Sequence, residues 1–285
     1  MRLLAPGILR SSEMAGEWRL LPLSTHDAFT NMAIDEAILV ARGKGLVPNT
    51  LRLYRWDPSA VSLGMNRPVE EDVYVEACKR LGIAIVRRPT GGGTVYHDRD
   101  GEITYSVVAD ARSLGSPDVP GSYAVICSGL VKACELLGLR AQLHPGGPRQ
   151  CPNILVAGKK ISGNAQAWRG RTILQHGTFL VRVDLRRMFT VLKVPWSSDL
   201  DEVAQVAERK ITSVERELDR PVSIQEAYEA LVKGFQEALG IELEEGELTE
   251  FERRLAQRLY ETKYSRDEWN LYRKLERTAS VICAI

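Results

Sequence analysis

The chain of 285 residues is 44% hydrophobic and 26% charged, values that are typical of soluble globular proteins. Because 38 Lys and Arg residues balance 37 Asp and Glu residues, the net charge of +1 gives no reason to expect nucleic acid as a partner. The five cysteines form no Cys-x-x-Cys pair, which argues against a disulfide framework and a structural zinc site. No signal peptide or membrane span is evident, so we expect a cytoplasmic protein without membrane contact.

The predicted strands come from short β-prone or alternating runs. Residues 1–17 lack any such pattern and predict a flexible N-terminal extension. We expect the strand at 60–64 to pair with the one at 50–56 through a turn at Asp57 and Pro58. In chain order, the strand predictions are residues 18–23, 50–56, 60–64, 83–86, 102–108, 141–144 and 173–183, with a hairpin at 154–163.

Apolar residues at helical spacing predict helices between and after these strands. The last third of the chain is charge-rich and helical, and no flexible linker precedes it. Residues 18–285 therefore predict one α+β domain with a helical C-terminal flank at about 221–275. In chain order, the helix predictions are residues 29–43, 69–81, 123–137, 185–193, 224–239 and 249–263.

An arginine- and glycine-rich loop follows the buried strand at 83–86. Residues 87–97 read Arg-Arg-Pro-Thr-Gly-Gly-Gly-Thr-Val-Tyr-His. Three consecutive glycines allow positive φ and let the backbone approach a ligand, while the arginines and His97 supply charge and donors. The loop matches neither nucleotide-binding glycine fingerprint, yet it suits a phosphate or a mixed anhydride. A tight turn with two solvated arginines is the alternative.

A lysine-bearing hairpin forms the second constellation. Residues 158–166 read Gly-Lys-Lys-Ile-Ser-Gly-Asn-Ala-Gln, and 174–177 read Leu-Gln-His-Gly. A lysine on such a hairpin can reach into a cleft and place its charge on a phosphate or carbonyl oxygen. Neighbouring strand residues point to opposite faces, so only one of Lys159 and Lys160 can face inward, and the alternation does not decide which. A solvated lysine pair is the alternative.

Taken together and in this order, these segments resemble the lipoate–protein ligase and octanoyltransferase family, which shares its fold with the catalytic domain of biotin–protein ligase. Residues 31–37 (Asn-Met-Ala-Ile-Asp-Glu-Ala) and 263–270 (Lys-Tyr-Ser-Arg-Asp-Glu-Trp-Asn) fit the same family. The resemblance implies an α+β fold with a mixed central β-sheet flanked by helices. It also implies that a lipoyl adenylate binds across this sheet.

The resemblance places Lys160 at the position of the catalytic lysine, which contacts the acyl carbonyl and the phosphate of the adenylate. A fixed cation there would stabilise the negative charge that develops on both oxygens. The motif also places His176 near the active site. A lone histidine is more often structural than catalytic, so a structural role is the alternative for His176. The residues that the resemblance assigns to substrate and adenylate binding are Arg88, Gly91, Gly92, Gly93, Thr94, Tyr96, His97, Asn153, Ser162, Gly163, Ala165 and His176.

ATP, Mg²⁺ and lipoate, with lipoyl-AMP as the intermediate, are the cofactors that the resemblance implies. Family members have an Asn-Asp pair before the lysine hairpin for Mg²⁺ and phosphate. This chain has Pro152-Asn153-Ile154 with no following Asp. The sequence therefore assigns no magnesium ligand.

Two enzymes share these motifs. A ligase makes lipoyl-AMP from ATP and lipoate, then transfers the lipoyl group to a lysine of an acceptor lipoyl domain, as in the glycine cleavage H protein or 2-oxoacid dehydrogenase E2. An octanoyltransferase takes an acyl group from a carrier protein through a cysteine thioester, which needs a reactive thiolate. Cys151 is the candidate near the hairpin, whereas Cys127 and Cys134 lie on a helix's apolar stripe.

The sequence favours the ligase, because in the single-domain transferases the nucleophile lies further upstream and precedes an aromatic segment that is missing here. The chain also ends at the point where larger ligases continue into an accessory domain. In this respect it resembles two-part ligases, whose accessory domain is a separate polypeptide. A non-catalytic adenylate-binding module is a third hypothesis. Retention of Lys160 together with the full glycine loop counts against it.

Overall fold

The computed structural model describes residues 16–116, 118–147 and 151–274. Nearly all of the predicted N-terminal extension and Cys283 lie outside the described residues. Within these ranges no helix is long and apolar enough to cross a membrane, and the cytoplasmic location stays a prediction.

The strands form two sheets. Numbered in chain order, they are β1 Trp18–His26, β2 Asn49–Trp56, β3 Ala60–Leu63, β4 Ala84–Arg87, β5 Val95–His97, β6 Glu102–Asp110, β7 Ala141–His144, β8 Asn153–Val156, β9 Lys159–Arg169, β10 Thr172–Leu180 and β11 Glu244–Glu245. The large sheet has the order β11-β1-β2-β6-β10-β9-β8-β7, and the small sheet has the order β4-β3-β5. In the large sheet β1 pairs in parallel with β2 and β11, and the other pairs are antiparallel.

Helices cover both faces of the large sheet. They are α1 Ala28–Gly43, α2 Val69–Asp72, α3 Val75–Leu81, α4 Val119–Leu136, α5 Leu185–Val191, α6 Leu200–Glu208, α7 Val214–Leu218, α8 Ile224–Leu239, α9 Glu250–Leu259 and α10 Asp267–Asn270. A π-turn at Tyr260–Tyr264 extends α9. The predicted α+β fold, a mixed central sheet flanked by helices, is confirmed.

Alternation along β6 divides the core into two layers. Val107 belongs to the cluster that includes α4 and α8, whereas Val108 belongs to the cluster that includes α1 and α9. The helices α4 and α8 pack closely, since a Cβ on Gly234 would lie 2.6 Å from the backbone nitrogen of Ala133. The helical C-terminal flank thus packs on both layers of the same core.

Two local predictions were wrong because long-range pairing decided them, and two helices were missed. The strand β3 does not join β2; it lies at the centre of the small sheet between β4 and β5. The predicted helix at 69–81 breaks where Val73 forms a bridge with Leu192. The described helices α6 and α7 were not predicted.

Candidate active site

The glycine loop is shaped by Arg88, which is 5% exposed. Its Nε donates to Thr90 Oγ1 at 3.0 Å, and its Nη1 donates to Ser62 O at 3.0 Å and Ser62 Oγ at 3.1 Å. Its Nη2 donates to the carbonyls of Gly91 at 2.7 Å and Gly93 at 2.6 Å. Every N–H of the guanidinium is therefore used within the protein. Burial lowers the pKa of Arg88 to about 10.

Two positions at this loop require glycine because neighbouring atoms approach the backbone too closely for a side chain. A Cβ on Gly64, just after β3, would lie 2.0 Å from the carbonyl oxygen of Gly92. Gly92 has a φ of +85°, and a Cβ there would lie 3.1 Å from both Arg88 Nη2 and Cys151 Sγ. The loop consequently lies directly against the thiol of Cys151.

His97 lies between a carboxylate and a hydroxyl. Its Nδ1 is 2.8 Å from Glu102 Oε1, and its Nε2 is 2.8 Å from Ser62 Oγ. Because Ser62 Oγ accepts a hydrogen bond from Arg88, its own O–H is free to donate to Nε2 of His97. This network assigns the proton of the neutral ring to Nδ1. The ring also stacks on Trp56, with 4.0 Å between centroids.

His176 has the same arrangement on the other side of Arg88. Its Nδ1 is 3.0 Å from Asp35 Oδ2 and its Nε2 is 2.7 Å from Thr90 Oγ1, which accepts from Arg88. Burial lowers the pKa of His176, although Asp35 opposes this. Burial would raise the pKa of Asp35, but Arg52 and His176 lower it overall. Both histidines thus support the loop through fixed hydrogen bonds at both ring nitrogens.

Lys160 is the lysine that faces inward. Its backbone in β9 is held by hydrogen bonds with Lys210 and Thr212, both in the segment that follows α6. A Cβ on Gly163 would lie 2.6 Å from Nζ of Lys160, so this glycine leaves room for the ammonium. Lys159 points away and its Nζ is 3.4 Å from Glu217 Oε1. Burial lowers the pKa of Lys160, and a negative charge on the Cys151 sulfur opposes this.

Cys151 precedes β8 and lies half-buried beside these cations. The side chain of Asn153 donates to the backbone carbonyl of Cys151 at 3.0 Å, and Asn164 donates to the carbonyl of Pro152 at 3.0 Å. Burial and the neighbouring Cys151 thiol raise the pKa of Tyr123. The segment is therefore fixed by the neighbouring strands, and Asn153, which was expected to bind substrate or adenylate, supports the backbone of the cysteine.

The other described cysteines are inert by comparison. Cys127 and Cys134 are fully buried in α4, and burial raises the pKa of both thiols to about 12. Burial also raises the pKa of the Cys78 thiol to about 11. Such thiols are protonated at neutral pH and cannot act as nucleophiles.

One cavity of about 500 Å³, called the main cavity, connects these groups. The predicted site residues that line it, together with Cys151, are Arg88, Gly92, Gly93, Thr94, His97, Asn153, Lys160, Gly163, Ala165 and His176.

Three predicted site residues are not among the described residues that line the main cavity. The carbonyl of Gly91 accepts from Arg88, and Ser162 Oγ donates to Asn164 Oδ1 at 3.2 Å. Tyr96 is 2% exposed and lines a neighbouring cavity instead. These residues support the site from outside the main cavity.

The sequence analysis missed the floor of the main cavity. Met32 of α1, Tyr54 and Trp56 of β2, and Thr104 of β6 line it. Their sequence pattern is that of core residues. Tyr54 and Thr104 meet through the pairing of β2 with β6, and Met32 belongs to α1, which packs against the same strands. No local signal in the sequence could have identified them.

Magnesium does not fit the main cavity. No Asp or Glu is among the described residues that line it, and Mg²⁺ prefers carboxylate oxygens. Elsewhere in the described ranges, no group of three or more His, Cys, Asp or Glu side chains could hold a metal ion. We therefore derive no step that uses a metal.

The glycine loop, Cys151 and Lys160 thus surround one cavity. The family model "Lipoyl protein ligase A/B catalytic domain" matches residues 27–236. The chain belongs to this family, which confirms the resemblance.

The curated relatives and solved structures differ in the activity that they name. "Octanoyltransferase LipM" of Kyrpidia tusciae is 42% identical over 275 residues, with 90% of this chain and 99% of that protein covered. The protein of the same name from Symbiobacterium thermophilum is 38% identical at the same coverage. A bi-partite lipoate protein ligase from Thermoplasma acidophilum has a TM-score of 0.78 and 34% identity, covering 92% of this chain and 99% of that one.

A second solved structure, a lipoate-protein ligase A bound with ATP, also has a TM-score of 0.78 and 34% identity. It covers 90% of this chain and 98% of that chain. The chain is thus similar to proteins with both activities.

Proposed function

We propose that the chain is an octanoyltransferase that moves an octanoyl group from a carrier-protein thioester to a lysine of an acceptor lipoyl domain, with Cys151 as nucleophile. This replaces the ligase that the sequence analysis favoured. The observation that carries the proposal is the Cys151 thiol beside Lys160 in a cavity whose described lining has no carboxylate. The names of the relatives at 42% and 38% identity support the same activity.

The first half-reaction forms an acyl-enzyme. The Cys151 thiol gives its proton to Lys160, whose pKa burial lowers, and the thiolate attacks the carbonyl carbon of the thioester. The bond from that carbon to the carrier sulfur breaks, and the departing thiolate takes the proton from the Lys160 ammonium. Before that transfer, the ammonium stabilises the negative charge on the carbonyl oxygen.

The second half-reaction regenerates the thiol. The amine of the acceptor lysine attacks the carbonyl of acyl-Cys151, and the bond from this carbonyl to the sulfur breaks. The amine proton passes to the sulfur, with Lys160 again beside the reacting oxygen. Arg88 adds positive charge without contacting the substrate, because its N–H groups are used by the loop and Ser62.

The test is transfer of octanoate to a purified acceptor lipoyl domain, followed by mass spectrometry. Octanoyl-carrier protein should modify the acceptor without ATP, and Cys151→Ser should abolish this transfer because serine lacks a strong base here. The control Cys78→Ala removes a buried thiol outside the cavity and should keep the activity. Unchanged transfer by Cys151→Ser would refute the nucleophile.

ATP-dependent ligation of lipoate is the second candidate, because a structural neighbour is a ligase bound with ATP. It predicts acceptor modification only with ATP plus lipoate, and the need for a separate accessory polypeptide belongs to this candidate. The H protein and E2 lipoyl domains are the proposed acceptors in either case.

A further inference from the structure

A second cavity adjoins the main cavity at Lys160. This side cavity has a volume of about 290 Å³. The residues that line both cavities are Gly93, Thr94, Val95, Lys160, Gly163 and Thr178. A thioester carbonyl held at Lys160 therefore has space on two sides.

The walls of the side cavity are largely apolar. Leu180 ends β10, Met188 and Phe189 belong to α5, and Leu192 and Ile211 complete the surface. Hydroxyls of Thr94 and Thr178 lie near the junction with the main cavity. Such a passage suits a slender chain that alternates methylene groups with amides.

Besides Lys160, two further basic residues line the side cavity. Arg67 is bound by Asp72, with 2.7 Å between Nε and Oδ2, and this pairing raises the pKa of Arg67 and lowers that of Asp72. Lys193 donates to the backbone carbonyl of Glu70 at 2.8 Å and lies 5.1 Å from the centre of the Tyr74 ring. Among the residues that the structure describes, Lys193 has no carboxylate partner. No described carboxylate therefore neutralises its charge, and an anion would compete only with the Glu70 carbonyl and the Tyr74 ring for the ammonium.

A thioester joins two different chains at one carbonyl. If the acyl chain occupies the main cavity with its carbonyl at Lys160 and Cys151, the thiol-bearing chain must leave by another route. The side cavity begins at this point, is apolar along its walls, and has on its lining Lys193, which pairs with no carboxylate among the described residues. Carrier proteins present acyl groups on a pantetheine arm that ends in a phosphodiester. The arm carries amides that suit the polar junction and a negative charge that suits Lys193.

We propose that the side cavity binds the pantetheine arm of the acyl carrier and that Lys193 binds its phosphodiester. This proposal rests on the proposed transferase function and names the donor chemistry of the same site. It makes Lys193 a residue that recognises the donor, without a part in bond making or breaking.

The experiment measures acylation of Cys151 by rapid quench and intact mass, with three small thioesters. Octanoyl-4′-phosphopantetheine has the whole arm with its phosphate, octanoyl-pantetheine lacks the phosphate, and octanoyl-N-acetylcysteamine also lacks the outer half. Wild type should prefer them in that order. Lys193→Ala should lower kcat/KM about tenfold for the phosphorylated thioester, as expected for one charge-assisted hydrogen bond, and leave the other two unchanged.

Lys233→Ala removes a 64%-exposed lysine from α8 and is the matched control, which should leave all three rates unchanged. An equal loss with all three thioesters in Lys193→Ala would overturn the proposal. Equal acylation rates of wild type with the three thioesters would also overturn it. Inhibition of the acylation by ATP but not by 4′-phosphopantetheine would overturn it as well. Failure of every thioester to acylate Cys151 would instead refute the proposed function.

Discussion

The indole Nε1 of Trp269 donates a hydrogen bond to the backbone carbonyl of Arg87 at 2.9 Å, across 182 positions of sequence. The backbone nitrogen of Arg87 donates in turn to Asn270 Oδ1 at 3.0 Å. These two side chains therefore occupy the free edge of β4 as a neighbouring strand would. The Arg87 guanidinium binds the carbonyls of Gly64 at 3.0 Å and Arg67 at 2.7 Å. The C-terminal flank thus holds the strand that leads into the glycine loop.

Trp269→Phe keeps an aromatic ring but removes the N–H that Arg87 uses. We expect a loss of about 1–2 kcal/mol in the free energy of unfolding, because a buried carbonyl loses its partner. Hydrogen exchange should accelerate in residues 88–94, and kcat should fall. Tyr272→Phe changes a 64%-exposed residue and serves as control. Wild-type protection of the loop in Trp269→Phe would contradict this role.

The two adjacent lysines should differ sharply. Lys160→Ala removes the cation beside the reacting carbonyl, and we expect kcat to fall by about 10²–10³ with the fold intact. Lys159→Ala breaks only the partly exposed contact with Glu217 and should cost well under 1 kcal/mol of stability with normal turnover. Steady-state kinetics and circular dichroism test both variants. Equal kinetic losses would refute the assignment of Lys160.

Gly92→Val should prevent acylation of Cys151. The new side chain would meet the sulfur and Arg88, and valine does not tolerate a φ of +85°. Gly138→Val imposes a similar strain at a φ of +90°, where a Cβ would meet nothing within 4 Å, and should lose stability while keeping acylation. If Gly92→Val retains the wild-type acylation rate, the loop is only a turn.

The buried carboxylate of Glu36 pairs with Lys263 of the C-terminal flank, and this pairing makes the free energy of unfolding depend on pH in the acid range. Burial would raise its pKa, but Lys263, 2.7 Å away, and Arg169 lower it to about 2 from 4.5. A depressed carboxyl pKa contributes stability that is present above pH 4.5 and is lost as the pH falls towards 2. The contribution is on the order of 3 kcal/mol at most.

Urea unfolding between pH 7 and pH 3 tests this linkage. Wild type should lose stability below pH 4.5 more steeply than Glu36→Gln, whose uncharged amide cannot titrate. Glu229→Gln on the exposed face of α8 is the control and should follow wild type. Parallel pH curves for wild type and Glu36→Gln would show that the carboxylate contributes no acid-dependent stability.

The sequence predicted those elements whose signals are local. The helix α8 has the predicted bounds because its signals are local: an apolar stripe along the helix, the N-cap Ser223 just before it and the stop at Gly240 just after it. The hairpin of β8 and β9 was predicted from Gly158, and both turn residues, Ala157 and Gly158, have positive φ. The partner of β3 could not be predicted, because nothing local distinguishes the strands that it could join.

The same distinction between local and long-range signals applies to the candidate site. The glycine loop and Lys160 are contiguous motifs, whereas Trp269 reaches Arg87 only through the tertiary fold. Cys151 was considered as a nucleophile but set aside because of its position along the chain. Its contact with the glycine loop depends on how β8 folds against β9 and not on that spacing.

The most direct test of the account is the intact mass of the enzyme after incubation with octanoyl-carrier protein, with neither ATP nor acceptor present. We predict one added octanoyl group, located on Cys151 by peptide mapping, removed by hydroxylamine and absent from Cys151→Ser. Adding the acceptor lipoyl domain should discharge the adduct as the acceptor gains the same mass. An unmodified enzyme that octanoylates the acceptor, or an acceptor modified only when ATP and a free acid are supplied, would contradict the account.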